Sequence, residues 1–227
     1  MCGRFSLLQT PEEVEAFFAL EGLEAFPPRY NIAPTQPILV ISAAPPREPG
    51  SNRPDREAHL VRWGLLPSWV KDPKEFPLLI NARAETIADK PAFRAACRAR
   101  RCLIPVTGFY EWTKDGDGNR LPWYIRRADG DTLAFAGIWQ DWARDGEALR
   151  TCAIVTTAAN TKMQAIHHRM PVVLEPADWP LWLGEAGKGA APLMQPADDA
   201  VLEFYRVDPK VNSNRASGPE LIEPFDD

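Results

Sequence analysis

Apolar residues in this sequence come in short runs closed off by turn formers, and that interruption limits the fold more than any other feature. Residues 38–41 (Ile-Leu-Val-Ile) read as a buried strand, and 59–63 as its return partner, with Leu60 and Arg62 alternating against Val61 and Trp63. The stretch 45–54 between them is rich in Pro, Gly, Ser and Asn and reads as an exposed loop. Further strands are expected over 78–82, 102–106, 109–113, 123–127, 132–139, 151–157, 172–174 and 202–207, with Asp115-Gly-Asp-Gly-Asn119 as a hairpin turn. Thr10-Pro-Glu-Glu13 opens a helix, with a capping threonine, proline at the first helical position and a glutamate placed for a capping box. Val14, Phe17 and Phe18 would form its apolar stripe, and shorter helices are expected over 91–100, 160–166 and 177–183. Strands do not alternate with long helices, which argues against a doubly wound sheet. The expected fold is α+β, mostly antiparallel, with a partly closed β-barrel-like sheet and a few short helices. No repeat or linker divides the chain, so one domain over 1–227 is expected.

Composition narrows the function. A chain of 227 residues that is 45% hydrophobic can bury a sizeable core. With a formal net charge of -5 it carries no global positive field toward nucleic acid or acidic lipid, so a polyanion partner needs a local basic patch. Arg94-Ala-Ala-Cys-Arg-Ala-Arg-Arg101 reads as such a patch or as a solvated helix face. Four cysteines without a Cys-x-x-Cys pair make no disulfide scaffold; Cys97 and Cys152 sit among apolar residues and read as buried. With three histidines no zinc-ligand spacing arises, and neither metal nor cofactor is expected. No segment reads as a membrane span or secretory signal, so a cytoplasmic protein of the reducing compartment, monomeric by default, is expected.

Several residues carry chemistry. Cys2 follows the start methionine in Met1-Cys2-Gly3-Arg4-Phe5, and trimming Met1 would leave an amine and a thiol on adjacent carbons. That 1,2-aminothiol can condense with an aldehyde and close to a thiazolidine; the plain alternative is a small residue near a frayed end. Asn81 and Arg83 end a buried strand and share one face. Glu111 lies between Tyr110 and Trp112, where desolvation would suit it to proton transfer unless it faces solvent. His167 and His168 stand before a strand and offer a proton shuttle or a structural pair. Trp69 follows a Pro-Ser turn and could stack on a base, while Arg4, Arg83 and Arg169 could hold phosphates.

Taken together, the chain resembles the SRAP family (SOS response-associated peptidase). The matching pieces are Met1-Cys-Gly-Arg-Phe5, Arg29-Tyr-Asn-Ile-Ala-Pro34, Trp63-Gly-Leu-Leu-Pro-Ser-Trp69, Asn81-Ala-Arg-Ala-Glu-Thr86, Arg101-Cys-Leu-Ile-Pro105 and Gly108-Phe-Tyr-Glu-Trp112. Phe135-Ala-Gly-Ile-Trp139, Ile166-His-His-Arg-Met-Pro-Val-Val-Leu174, Val211-Asn212 and Pro219-Glu-Leu-Ile222 complete the pattern. The resemblance implies capture of abasic sites in single-stranded DNA as a covalent thiazolidine crosslink through Cys2. Autoproteolytic removal of Met1 would expose the amine, and weak lyase activity could accompany it. Cys2, Asn81, Glu111 and His167 match the catalytic positions. Arg4, Pro34, Trp69, Arg83 and Arg169 match positions expected to hold DNA. The implied partner is abasic single-stranded DNA, with no membrane, and the implied location is cytoplasmic and nucleoid-associated during repair. Residues 184–199 carry no motif of the family. Three alternatives stay open: an N-terminal-nucleophile amidohydrolase using the Cys2 thiol, a thiol peptidase pairing Cys2 with His167, and a non-catalytic single-strand binding module.

Overall fold

Among the described residues, twelve strands divide between two sheets, and both sheets take strands from well-separated parts of the sequence. The structure, a computed structural model, describes residues 2–46 and 55–225; the loop expected over 45–54 lies from residue 47 onward outside them. In chain order the first strands are β1 (Phe5–Leu7), β2 (Arg29–Ile32), β3 (Pro37–Ala43), β4 (Arg56–Trp63), β5 (Asn81–Arg83) and β6 (Arg101–Val106). The rest are β7 (Gly108–Lys114), β8 (Arg120–Arg127), β9 (Leu133–Arg144), β10 (Glu147–Ala158), β11 (Arg169–Pro171) and β12 (Leu202–Arg206). Three α-helices, α1 (Pro11–Phe18), α2 (Arg94–Ala99) and α3 (Trp179–Leu183), lie between them.

One sheet has the order β12-β8-β7-β1-β2, and every pairing in it is antiparallel. The other runs β11-β10-β4-β3-β6-β9, and β9 pairs back onto β10, so the pairings of β10, β4, β3, β6 and β9 close into a ring. This is the mostly antiparallel, partly closed arrangement expected. Two pairings depart from it: β10 runs parallel to both β4 and β5. Thr151 and Cys152 pair with Arg62 and Trp63, and three residues on Ile154–Thr156 pair with Asn81–Arg83. β4 and β5 therefore continue one another along a single edge of β10, and segment 64–80 is an excursion out of that edge.

Local chemistry explains the helix that matters most. Thr10 caps α1 by accepting from the Glu13 N–H at 3.3 Å, while Glu13 accepts from the Thr10 N–H at 2.8 Å. Val14 and Phe18 are buried, and Phe18 stacks on Trp179 of α3 with ring centres 4.8 Å apart. Between the sheets, Phe5 of β1 meets Trp63 of β4 edge-on at 5.2 Å, and Phe109 of β7 meets Phe135 of β9 at 5.5 Å. Each such pair adds about 1 kcal/mol beyond the area it buries, and it fixes how the sheets face each other.

Several boundaries differ from expectation. The strand expected over 78–82 starts only at Asn81, because the partner edge of β10 becomes available there and Leu78 is left exposed. In place of a strand over 172–174, β11 occupies 169–171, and Val172 bridges Val155 and Ala136 through its backbone. The helix expected over 160–166 is one short turn, Met163–Ala165, and that over 91–100 shortens to α2. β9 and β10 are longer than expected because Asp145 and Gly146, at φ of 51° and 86°, turn a hairpin between them. Cys152 is buried as expected, whereas Cys97 is only half-buried.

Tyr124 of β8 lies over Gly108, where a side chain would collide with it, and so reaches Ser6 of β1. Ser6 donates to the Gly108 carbonyl at 3.2 Å and meets the Tyr124 hydroxyl at 2.8 Å. A Cβ on Gly108 would lie 2.5 Å from that hydroxyl oxygen and 2.8 Å from the Ile125 carbonyl oxygen, and the latter is backbone that cannot swing away. Gly108→Ala is expected to cost about 2–3 kcal/mol, at the upper end for overpacking, read as a lower urea midpoint with an unchanged slope.

Candidate active site around Cys2

β1 is paired on both sides, to β7 through Phe5 and Ser6 and to β2 through Phe5 and Leu7. The Tyr110 N–H donates to the Arg4 carbonyl at 3.0 Å, so the pairing with β7 continues toward the chain start. Cys2 is thereby drawn to the junction of the two sheets and fully buried, at 0% exposure. This excludes the frayed-end reading. The Cys2 carbonyl accepts from Asn81 Nδ2 at 3.0 Å, and the Cys2 thiol makes a long contact, 3.9 Å, to the Arg4 carbonyl. Asn81 is the first residue of β5, fixed by its parallel pairing with Ile154. Its Oδ1 is buried and has no hydrogen-bond partner among the described residues.

Glu111 sits in β7 and is 3% exposed. Strand alternation sends its neighbours Tyr110 and Trp112 to the opposite face, into the cluster with Tyr124, Val207, Val211 and Leu221. The solvent-facing reading of Glu111 is thus overturned. Burial pushes the Cys2 thiol well above its ordinary range, and the Glu111 carboxylate pushes it the same way. For His167, burial lowers the imidazole pKa and the same carboxylate opposes that. One carboxylate therefore acts on both groups, which places Cys2, Glu111 and His167 within electrostatic reach of each other.

His167 is half-buried where the short turn Met163–Ala165 leads into β11. Its Nδ1 accepts from the Arg169 N–H at 3.0 Å, so the proton of the neutral ring rests on Nε2. The Arg169 carbonyl also lies 3.2 Å from Nδ1, the longer of the two contacts, and the N–H donor decides the tautomer. His168 is exposed and stacks on His167 at 4.4 Å.

The residues expected to hold DNA fall into two groups. Trp69 projects from the 64–80 excursion, 57% exposed, its ring edge-on to Phe76 at 5.5 Å, and Phe76 in turn packs against Leu66, Val70 and Trp142. Arg83 is exposed two residues beyond Asn81 on the same face of β5. Pro34 is half-buried in the turn before β3, where Thr35 is held at φ of 73° by its N–H on the Trp63 carbonyl at 2.8 Å. A β-branched residue in that region is strained, so this turn is a fixed surface.

Arg169 corrects the expectation of direct phosphate contact, whereas Arg4 is held, among the described residues, by neutral acceptors alone. Arg169 is 8% exposed, forms a two-pronged pair with Glu85, and donates to the Thr156 carbonyl at 2.8 Å. A phosphate would have to displace Glu85, so Arg169 anchors the backbone that orients His167. Sequence spacing gave no hint of Glu85, which meets Arg169 across 84 positions. Arg4 donates to Asn31 Oδ1 at 2.7 Å, to the carbonyls of Val211 at 3.0 Å and Asn212 at 3.4 Å, and to Asn214 Oδ1. The Arg94–Arg101 run is also partly internal: Arg101 donates to the carbonyls of Trp182, Cys97 and Arg98. Among the described residues, no helix is long and apolar enough to cross a membrane, and no three His, Cys, Asp or Glu side chains group as metal ligands.

Comparison with known proteins agrees with this geometry. Residues 1–214 match the model of the SOS response associated peptidase family, SRAP. The chain is 40% identical to the abasic site processing protein YoqW of Bacillus subtilis, over 98% of this chain and 99% of that protein. It is 33% identical to abasic site processing protein YedK of Escherichia coli, over 99% of this chain and all of that protein. With mouse HMCES, also named an abasic site processing protein, identity is 31% over the whole of this chain and 76% of that one. The crystal structure of a Bacteroides thetaiotaomicron protein superposes with a TM-score of 0.83, at 25% identity over 99% of this chain and 100% of that one. Full-length matches in sequence and fold, with Cys2 buried beside Asn81, Glu111 and His167, make this chain a member of the SOS response associated peptidase family.

Proposed function

We infer that this chain processes abasic sites in single-stranded DNA by capturing the lesion's aldehyde on Cys2, once Met1 has been removed. The observation that carries the reading is the burial of Cys2 together with Asn81, Glu111 and His167 at the junction of two sheets. Support comes also from the relatives, whose names are all abasic site processing protein. Site residues come from positions 2 to 169 of one chain, which fits a single domain acting as a monomer.

The open-chain abasic sugar presents an aldehyde at C1′. His167, neutral and protonated on Nε2, moves the proton that opens the sugar ring. The Cys2 α-amine, with an unperturbed pKa of about 8, is neutral in useful amount at pH 7 and adds to C1′. Glu111 takes up the protons that the amine loses and relays them to the departing oxygen, water leaves, and a Schiff base forms. The Cys2 S–H then adds across the C=N bond: sulfur bonds to C1′, the proton ends on nitrogen, and a thiazolidine closes with net loss of one water. Burial favours this order, because the buried thiol stays protonated until the imine is in place. Asn81 holds the Cys2 carbonyl through Nδ2 and offers its open Oδ1 to the amine or the sugar. Arg83 and Trp69 provide phosphate and base contacts for a splayed strand, with Pro34 as a rigid wall. The Schiff base can instead lose the 3′ phosphate by β-elimination, which accounts for a weak lyase activity when ring closure is blocked. Such a protein acts at the nucleoid within the cytoplasm.

The rival readings make different demands. An amidohydrolase would release ammonia from glutamine, a peptidase would turn over peptides beyond its own Met1, and a passive binding module would not need Cys2.

Protein with a free Cys2 terminus, mixed with an oligonucleotide bearing one abasic site, is expected to give a heat-stable band on a denaturing gel. Its mass should equal protein plus DNA minus one water. Cys2→Ala should give none, and Glu111→Gln should slow capture roughly 10²-fold or more, the usual range for a lost general acid. An adduct surviving in Cys2→Ala would overturn the assignment. The pH profile gives a second check. Burial lowers the His167 pKa, so capture should lose one proton's dependence near pH 8, from the amine, and a second below about pH 6.5, from the imidazole. In His167→Ala the lower break should vanish while the upper one stays.

A further inference from the structure

A cleft of about 340 Å³ opens beside Cys2, lined by Gly3, Arg4, Glu111, Trp112, Lys114 and Arg120 among others. Its floor is the Trp112 ring, with the Arg120 guanidinium 4.5 Å and the Arg4 guanidinium 5.9 Å from the ring centre. Three cations converge there, and none forms an ion pair among the described residues. Every acceptor of Arg4 is a neutral amide or carbonyl oxygen, so its charge is oriented but not neutralised. Its pKa is lowered by burial and, next, by the nearby Arg120 charge, which shows the two repelling each other.

The hairpin places the third cation deliberately against ordinary pairing rules. Lys114 and Arg120 are direct cross-strand partners at the end of β7 and β8, an arrangement that costs stability for like charges. The adjacent Asp115 does not relieve it. Its carboxylate closes the turn, accepting from the N–H groups of Asp117 at 2.9 Å and Asn119 at 2.8 Å and from the Asn119 side chain at 2.8 Å. A chain that keeps two unfavourable like-charge contacts in one cleft is consistent with a ligand that removes them.

We propose that the Arg4–Lys114–Arg120 cleft is a binding site for a phosphodiester group of the DNA strand next to the abasic nucleotide. The proposal rests on the abasic-site reading, since Gly3 and Glu111 line the same cleft and tie it to Cys2. Arg120 and Lys114 lie at the exposed end of the hairpin and reach outward, while Arg4 is braced from within. A phosphate seated there sets how far the strand can shift past Cys2, and so selects which sugar presents its C1′ to the amine. Sequence alone singled out the turn that follows Lys114, not the charges on its flanks.

Fluorescence anisotropy tests this with an oligonucleotide carrying a tetrahydrofuran abasic analogue, which has no aldehyde and so reads the cleft without the chemistry. Losing two phosphate-neutralising cations in Lys114→Ala/Arg120→Ala should lower the slope of log affinity against log salt by about 1.4. Removing a like-charge pair should leave the melting temperature equal or higher. Replacing the phosphates flanking the analogue singly with neutral methylphosphonates should weaken wild-type binding at one position and leave the double variant indifferent there. An unchanged salt slope overturns the proposal, as does a slope that falls while every methylphosphonate affects both proteins alike, since that marks a diffuse field. Capture of a true abasic oligonucleotide by wild type, run in parallel, separates failure of the cleft from failure of aldehyde capture.

Discussion

The double pairing of β1 is the constraint on which the rest of the site depends. A three-residue strand is too short to hold by itself, yet hydrogen bonds to β7 and β2 and the Phe5–Trp63 contact fix it between the sheets. Residues at a chain start are ordinarily poorly ordered. Here the strand carries the residues just before it inward, and Asn81 from the other sheet holds the Cys2 carbonyl. The position of Cys2 is therefore set by the same contacts that join the two sheets.

Burial then sets the chemistry. A thiol in this environment keeps its proton, and the neighbouring carboxylate reinforces that. An imidazole there stays neutral at physiological pH, with its tautomer fixed by the Arg169 N–H. The Glu85–Arg169 pair carries this one step further, because it holds the backbone from which that N–H projects. Removing only Glu85 would leave a guanidinium that is 8% exposed without its counter-charge, so the pair constrains geometry more than it adds stability.

Features written in local chemistry were legible in the sequence. The Thr10 capping box, the 115–119 turn, the buried run of β3 and the alternation of β4 depend on residues a few positions apart, and each appears as read. Cys2, Asn81, Glu111 and His167 were legible as residues, through the unusual Met1-Cys2-Gly3 start and polar groups in apolar settings. Partnerships across the chain were not. Parallel pairing of β10 with β4 and β5, the inward turn of Arg4 and the Arg169–Glu85 pair join residues far apart in sequence, and no spacing rule reports them. Glu111 shows the boundary well: strand alternation allowed either face, and only the packing of Tyr110 and Trp112 on one side decides for burial on the other.

The central claim is that the amine and thiol of one buried residue both end on the same carbon. An abasic oligonucleotide labelled with ¹³C at C1′, captured by the protein and observed by NMR, reads that bond directly. The account predicts a single tetrahedral carbon bonded to nitrogen and sulfur, stable without any reducing agent. A trigonal imine carbon, or a captured species seen only after borohydride reduction, would contradict ring closure by the Cys2 thiol.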